Sequence, residues 1–197
     1  MNKAVFLDRD GVINPLVYNQ STTEYESPHC PEDFSIYTHV LKSLKLCKEH
    51  GFKLIVVSNQ PSFAKGKTTL ENIQAIEGLL TAFSEENGRL IDAYYYCYHH
   101  PDGVVPEYKG FCRCRKPGTL FLEQAVERFA LDKSGCFFVG DQDTDIQCGK
   151  AMGIYTIKIN NRHSKRKSGV QTPDEFAEDL FDAASKMVAI INSRGRF

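Results

Sequence analysis

The sequence predicts an α/β fold, a parallel sheet covered on both faces by helices. Two observations carry this. The segments with strand character, such as Ala4–Leu7 and Leu54–Val57, are unbroken apolar runs rather than alternating ones. Between them lie stretches whose apolar residues recur at helical spacing. The extent follows from length: 197 residues, 42% of them hydrophobic, suit one domain over residues 1–197 with a full core.

Taken in order, Ala4–Leu7 is a buried strand that ends in charges and Gly11. Residues 12–36 hold Pro15, Pro28 and Pro31 without helical period, and a loop this long is expected to be functional or mobile. Val40, Leu41, Leu44 and Cys47 form a helix face, with Gly51 as the C-terminal stop. Leu54–Val57 is the second strand. Thr68 or Thr69 caps a helix carrying Ile73, Ile76, Leu79, Leu80 and Phe83, and Gly88 ends it. Ile91–Tyr96 is the third strand. Leu120 to Phe129 is helical, with Leu120, Phe121, Ala125 and Val126 on one face. Cys136–Val139 is the fourth strand, Ile146 to Met152 a short helix, and Ile154–Ile159 the fifth strand. Thr172 and Pro173 open a last helix running to about Ser193.

Several classes are excluded. The formal net charge of -1 gives no global field for nucleic acid or anionic membrane, and the short basic run Arg162 to Lys167 reads as a solvated loop. No segment has the roughly 18 apolar residues of a membrane span. Seven cysteines, with a C-x-C pair, fit a reducing compartment better than a disulfide framework, so a cytoplasmic protein is expected. Cys47, Cys136 and Cys148 read as small buried hydrophobes. "PSFAKGKT" resembles the end of a phosphate-binding loop, but Pro61 stands where its first glycine is required, so nucleotide binding is not expected.

In parallel sheets ligands sit beyond the carboxyl ends of the strands. The first strand is followed by Asp8 and Asp10, the second by Ser58, Asn59 and Gln60, the fourth by Asp141, Asp143 and Asp145. Period two puts Asp8 and Asp10 roughly on one side, where two carboxylates need a cation or a shared proton. With Asp141 they make a hard-oxygen site suited to Mg²⁺ and a phosphate substrate. One Asp can be a nucleophile that forms an aspartyl-phosphate, and the other can give and take the proton.

"VFLDRDGVIN" resembles the first motif of haloacid-dehalogenase (HAD)-type phosphatases, D-x-D-G-T/V. "IVVSNQ" resembles the second, and "FFVGDQDTD" the fourth, G-D-x-x-x-D. Together with "YYC-x-HHP" and "C-x-CRKP", they resemble the heptose-bisphosphate phosphatase and histidinol-phosphatase branch, over about Lys3 to Ile159. The resemblance implies a three-layer Rossmann-like HAD fold with a minimal cap. It implies Asp8 as nucleophile, Asp10 as general acid/base, Ser58 and Lys116 at the transferring phosphoryl group, and Asn59 among the substrate-binding residues. Mg²⁺ would be bound by the Asp8 side chain, the Asp10 carbonyl and the Asp141 side chain. The implied partner is a phosphorylated sugar, foremost a heptose 1,7-bisphosphate losing its 7-phosphate for surface-polysaccharide biosynthesis, acted on by a monomer. Histidinol phosphate or another small sugar phosphate is the alternative. A polynucleotide 3′-phosphatase would want a basic groove. A non-enzymatic phospho-acceptor would not want an acid/base at Asp10.

Cys97-x-His99 and Cys112-x-Cys114 supply three thiolates and one imidazole, a closed set for structural Zn²⁺ in a loop over about residues 97–115. The family's C-x-H points to His99 rather than His100. Arg115 and Lys116 follow Cys114 directly, so an ion fixing the thiolate fixes both cations. Lys116 suits the phosphoryl group as a point charge, and the planar fork of Arg115 suits a second anionic or hydroxyl-rich part of the substrate. The chain departs from the branch in "RKPG", in "NQPSFAKG", in Gln142 where a Lys is usual, and in its long 14–37 loop. With little cap, that loop must help set specificity, through Tyr18, Glu24 and Tyr25.

Overall fold

Six strands form one parallel sheet in the order β5-β4-β1-β6-β7-β8. The computed structural model describes residues 2–164 and 171–194. Lys165, Arg166 and Lys167 of the basic run lie outside them. The strands are β1 (Lys3–Leu7), β4 (Phe52–Asn59), β5 (Ala93–Cys97), β6 (Phe137–Gly140), β7 (Tyr155–Ile159) and β8 (Glu175–Ala177). A separate antiparallel hairpin pairs β2 (Val17–Asn19) with β3 (Glu24–Glu26).

Period two explains the layers. Val5 and Leu7 of β1 join Leu54, Val56, Phe137 and Val139 in one apolar cluster. That face is covered by α1 (Val40–Glu49), α2 (Leu70–Glu86) and α5 (Leu180–Arg194), through Leu44, Leu80 and Met187 among others. Ala4 and Phe6 point the other way, with Ile55, Val57 and Phe138. That face is covered by α3 (Leu120–Phe129) and α4 (Asp143–Ala151), through Leu122, Ala125 and Cys148. The fold is the three-layer α/β arrangement expected. Cys47, Cys136 and Cys148 are buried thiols within it. Among the described residues no helix is long and apolar enough to cross a membrane.

Five local expectations change. The last helix begins at Leu180, not at Thr172, because Glu175–Ala177 pairs with β7 as a sixth strand. Asp179 Oδ1 accepts from the amides of Phe181 and Asp182 at 2.8 and 2.9 Å, which is the true cap. The fourth helix starts at Asp143 rather than Ile146, with Gln142 and Asp145 forming a capping box. The buried residues of α3 are Leu122 and Ala125 rather than the Leu120–Phe121 edge, and Leu79 of α2 is exposed. The long 14–37 loop contains the β2–β3 hairpin, which forms a flap.

The flap is tied down on both sides. Glu26 pairs with Lys67 at 2.5 Å, and the hydroxyls of Ser27 and Ser62 lie 3.1 Å apart. On the other side Tyr25 stacks on His163 with ring centroids 3.6 Å apart. Tyr18 and Tyr25 pack on each other at 5.3 Å and both remain exposed.

Candidate active site

Strands β1, β4 and β6 end side by side, and the polar residues that follow them meet. Asp8 continues the sheet, its amide donating to Val139 O at 3.0 Å. Its Oδ1 accepts from Ser58 Oγ at 2.7 Å and from the Arg9 amide at 2.7 Å. Lys116 Nζ lies 2.9 Å from the same oxygen and 2.6 Å from Asp145 Oδ1, and it donates to Val57 O at 2.8 Å. Burial alone would push the Lys116 ammonium toward neutrality, but Asp145 and Asp8 more than offset this and raise its pKa.

Asp8, Asp141 and Asp145 bring carboxylate oxygens within 4.8 Å of one another, all buried. Burial, opposed by Lys116 and reinforced by Asp8, raises Asp145 to about 6. Burial and the neighbouring carboxylates push Asp141 well above the ordinary range. Asp141 Oδ2 accepts from Gln142 Nε2 at 3.2 Å and from Ser164 Oγ, while Asp141 Oδ1 is buried with no hydrogen-bond partner. Such a group asks for a cation. Three crowded carboxylates and an orphaned buried oxygen are a donor set that fits Mg²⁺. The backbone at Gly11 lies directly against Asp141, which puts the chain just after Asp10 beside this set.

The Asp10 side chain is not in this cluster. Its carboxylate is turned to Arg9, Asn14 and Gln60, and Asp145 takes the third place beside Asp8 and Asp141. Asn59 exchanges two hydrogen bonds with the Lys116 backbone, at 3.0 and 3.1 Å, so it holds the peptide that carries the lysine.

The second cluster stands at the end of β5. Cys97 Sγ, His99 Nδ1, Cys112 Sγ and Cys114 Sγ lie within 4.8 Å of one another, with separations of 3.1 to 3.7 Å among the contacting pairs. A tetrahedral Zn²⁺ with thiolates at about 2.3 Å would set sulfur–sulfur edges of about 3.8 Å. The four side chains therefore fit that ion with small adjustments. His100 Nδ1 instead accepts from the Asp102 amide at 3.0 Å within its own turn. The loop is fastened to the β4–α2 connection, where Ala64 O accepts from the amides of Val104 and Val105 at 2.6 and 3.2 Å. Arg115 is half-buried and donates to His99 O at 3.2 Å. Burial lowers its pKa, and the three thiols nearby oppose this.

A family model described as HAD-hydrolase-like matches residues 113–183. The chain is 32% identical over 191 residues to a D-glycero-D-manno-heptose-1,7-bisphosphate 7-phosphatase of Chlorobaculum tepidum, across 93% of this chain and 92% of that one. The chain belongs to the heptose-bisphosphate phosphatase family of HAD-like hydrolases. As a member of that family it is a phosphoric monoester hydrolase. Another member, the D-glycero-beta-D-manno-heptose-1,7-bisphosphate 7-phosphatase of Haemophilus ducreyi, is 33% identical over 182 residues, 91% of this chain and 95% of that one. The D,D-heptose 1,7-bisphosphate phosphatase of B. bronchiseptica, solved with magnesium and phosphate, shares the fold. Its TM-score is 0.76 at 23% identity, over 96% of this chain and 99% of that one.

In this heptose-bisphosphate phosphatase relative, the strand-end rule finds Asp8, Ser58 and Asp141. It also reaches Gln60 and Asp145, without a role for either, and passes over Arg9 and Asn14; all four are buried polar residues of the site. Gln60 and Asp145 do follow strands, so position offered a signal. Arg9 offered one too: a charged residue wedged between two aspartates at a strand end must find a buried partner.

Proposed function

We propose that this phosphatase removes the 7-phosphate from a heptose 1,7-bisphosphate through an aspartyl-phosphate on Asp8. The observation that carries the reading is Asp8 itself, whose Oδ1 is held by Ser58, the Arg9 amide and Lys116 beside two further buried carboxylates. One carboxylate oxygen of Asp8 is the attacking atom. It bonds to phosphorus as the bond to the sugar oxygen breaks, and Asp10 gives that oxygen a proton. Asp10 then takes a proton from water as the water's oxygen replaces Asp8 on phosphorus, releasing phosphate. Ser58 and Lys116 hold the phosphoryl oxygens, where stabilising charge is the main task. Mg²⁺ would be held by the side chains of Asp8 and Asp141 and the carbonyl of Asp10, and when bound would supply the positive charge that lets one anion approach another. The names of the relatives support the sugar, and Arg115 suits its second phosphate.

The same reading assigns Zn²⁺ to Cys97, His99, Cys112 and Cys114 as a structural clip. All four coordination places are then filled by protein, so the ion positions Arg115 and Lys116 rather than taking part in the reaction. A cluster of free thiols needs a reducing compartment, which supports a cytoplasmic location.

The test is phosphate release with Mg²⁺ from both anomers of heptose 1,7-bisphosphate, fructose 1,6-bisphosphate, histidinol phosphate and a 3′-phosphorylated oligonucleotide. Wild type is expected to prefer a heptose bisphosphate, and Asp8→Asn to fall at least about 10³-fold. Turnover of histidinol phosphate at a higher kcat/KM would overturn the substrate assignment. Unchanged turnover in Asp8→Asn would overturn the mechanism.

A further inference from the structure

Asp10 is saturated. Its Oδ1 accepts from Arg9 Nε at 3.1 Å, Arg9 Nη2 at 2.9 Å and Asn14 Nδ2 at 2.9 Å. Its Oδ2 accepts from Gln60 Nε2 at 2.6 Å and Arg9 Nη2 at 3.2 Å. A carboxylate offers about four lone-pair sites, and these contacts fill them. Asp10 therefore reaches a substrate oxygen or a water only when one of its protein donors lets go.

Gln60 is the donor placed to do this. It is 1% exposed and lies between the two halves of the site. Its Nε2 also donates to Ser58 Oγ at 3.1 Å, and its Oε1 accepts from Arg9 Nη2 at 2.8 Å. The hydroxyl that meets the phosphoryl group and the carboxyl that moves the proton thus share one amide group. When Ser58 swings its proton from Asp8 to a phosphoryl oxygen, the hydroxyl moves and shifts the bond it accepts from the amide. Arg9 is fully buried and grips Asp10 in a bidentate fork, so it fixes the direction in which Asp10 swings.

We propose that Gln60 and Arg9 are positioning residues that release and aim Asp10 when a phosphoryl group engages Ser58. This rests on Asp10 being the acid/base, and the test separates the two. The probe is p-nitrophenyl phosphate, whose leaving group needs no proton, mixed rapidly with full-length protein and Mg²⁺. If Asp10 acts, Asp10→Asn forms the phospho-enzyme but hydrolyses it slowly. It then shows a burst of about one nitrophenolate per site before a slow steady state. Gln60→Leu and Gln60→Met uncouple Asp10 from Ser58 and Arg9→Lys leaves it unaimed, so all three are expected to show the same burst, with kcat about 10- to 100-fold below wild type and kcat/KM within about threefold. Gross misfolding would lower the burst amplitude instead, and Arg9→Lys keeps the test open if the Gln60 variants do not fold. A burst in Asp10→Asn but none in any of the three variants overturns the proposal. No burst in Asp10→Asn removes the acid/base reading, and the proposal with it.

Discussion

Gly11 sits at φ +82°, and a Cβ built there would lie 2.2 Å from Asp141 Oδ2 and 2.8 Å from Asn161 Nδ2. Both the conformation and the space demand glycine. Gly11→Ala is expected to displace Asp141 and lower phosphate release at least about 100-fold, more than its effect on KM. Steady-state kinetics check this, and wild-type rates in the variant would show that Asp141 has room to give. At this scale the sequence was informative wherever a polar residue followed an apolar strand, as with Asp8, Ser58 and Asp141. It was silent about side-chain direction. Asp8 and Asp10 share a parity, yet Asp10 turns to Arg9 and Gln60 because a buried guanidinium needs a carboxylate more than the metal site needs a fourth one. No spacing rule anticipates a partner fifty residues away.

Elements are tied together by a few polar clamps, and Asp92 is one. It precedes β5 and accepts from Lys48 of α1 at 2.9 Å, Lys53 at 3.0 Å and the Leu54 amide at 2.8 Å. Burial would raise its pKa, but these donors outweigh that and lower it. A lowered carboxylate contributes stability above its unfolded value of 3.8, and the contribution is lost as pH falls through the still lower folded value. Asp92→Asn should therefore cost about 1–2 kcal/mol at pH 7 and less at about pH 3, below the unfolded value. Urea melts at the two pH values decide it, and an equal loss at both would refute the charge argument. The loop proposed to hold zinc makes a second test at this scale. Cys112→Ser is expected to lower bound zinc, the melting temperature and the rate, the last by about tenfold or more, without altering the Mg²⁺ requirement. Zinc-free protein with full activity and an unchanged melting temperature would show that Arg115 and Lys116 are held without the ion. Short elements were the ones the sequence hid. β8 and the two flap strands are three residues each, too brief for a period-two signal, and Thr172-Pro173 imitates a helix start that tertiary pairing overrides.

Over the whole molecule, the parallel three-layer fold was legible because its strands are buried on both faces and so read as unbroken apolar runs. The order of the strands was not, because nothing in a single strand says which neighbour it takes. That order puts β1 in the interior, with β4 on one flank and β6 on the other. A ribosome delivers β1, β4 and β5 first, and β6 only about forty residues after β5 ends. At roughly 5–20 residues per second that interval lasts a few seconds. Throughout it Val5, Phe6 and Leu7 present an unpaired apolar flank, ready to accept any passing strand. The nascent chain is thus most in need of shelter just before it acquires Asp141, and a message cut short there would yield a sticky product rather than a merely inactive one.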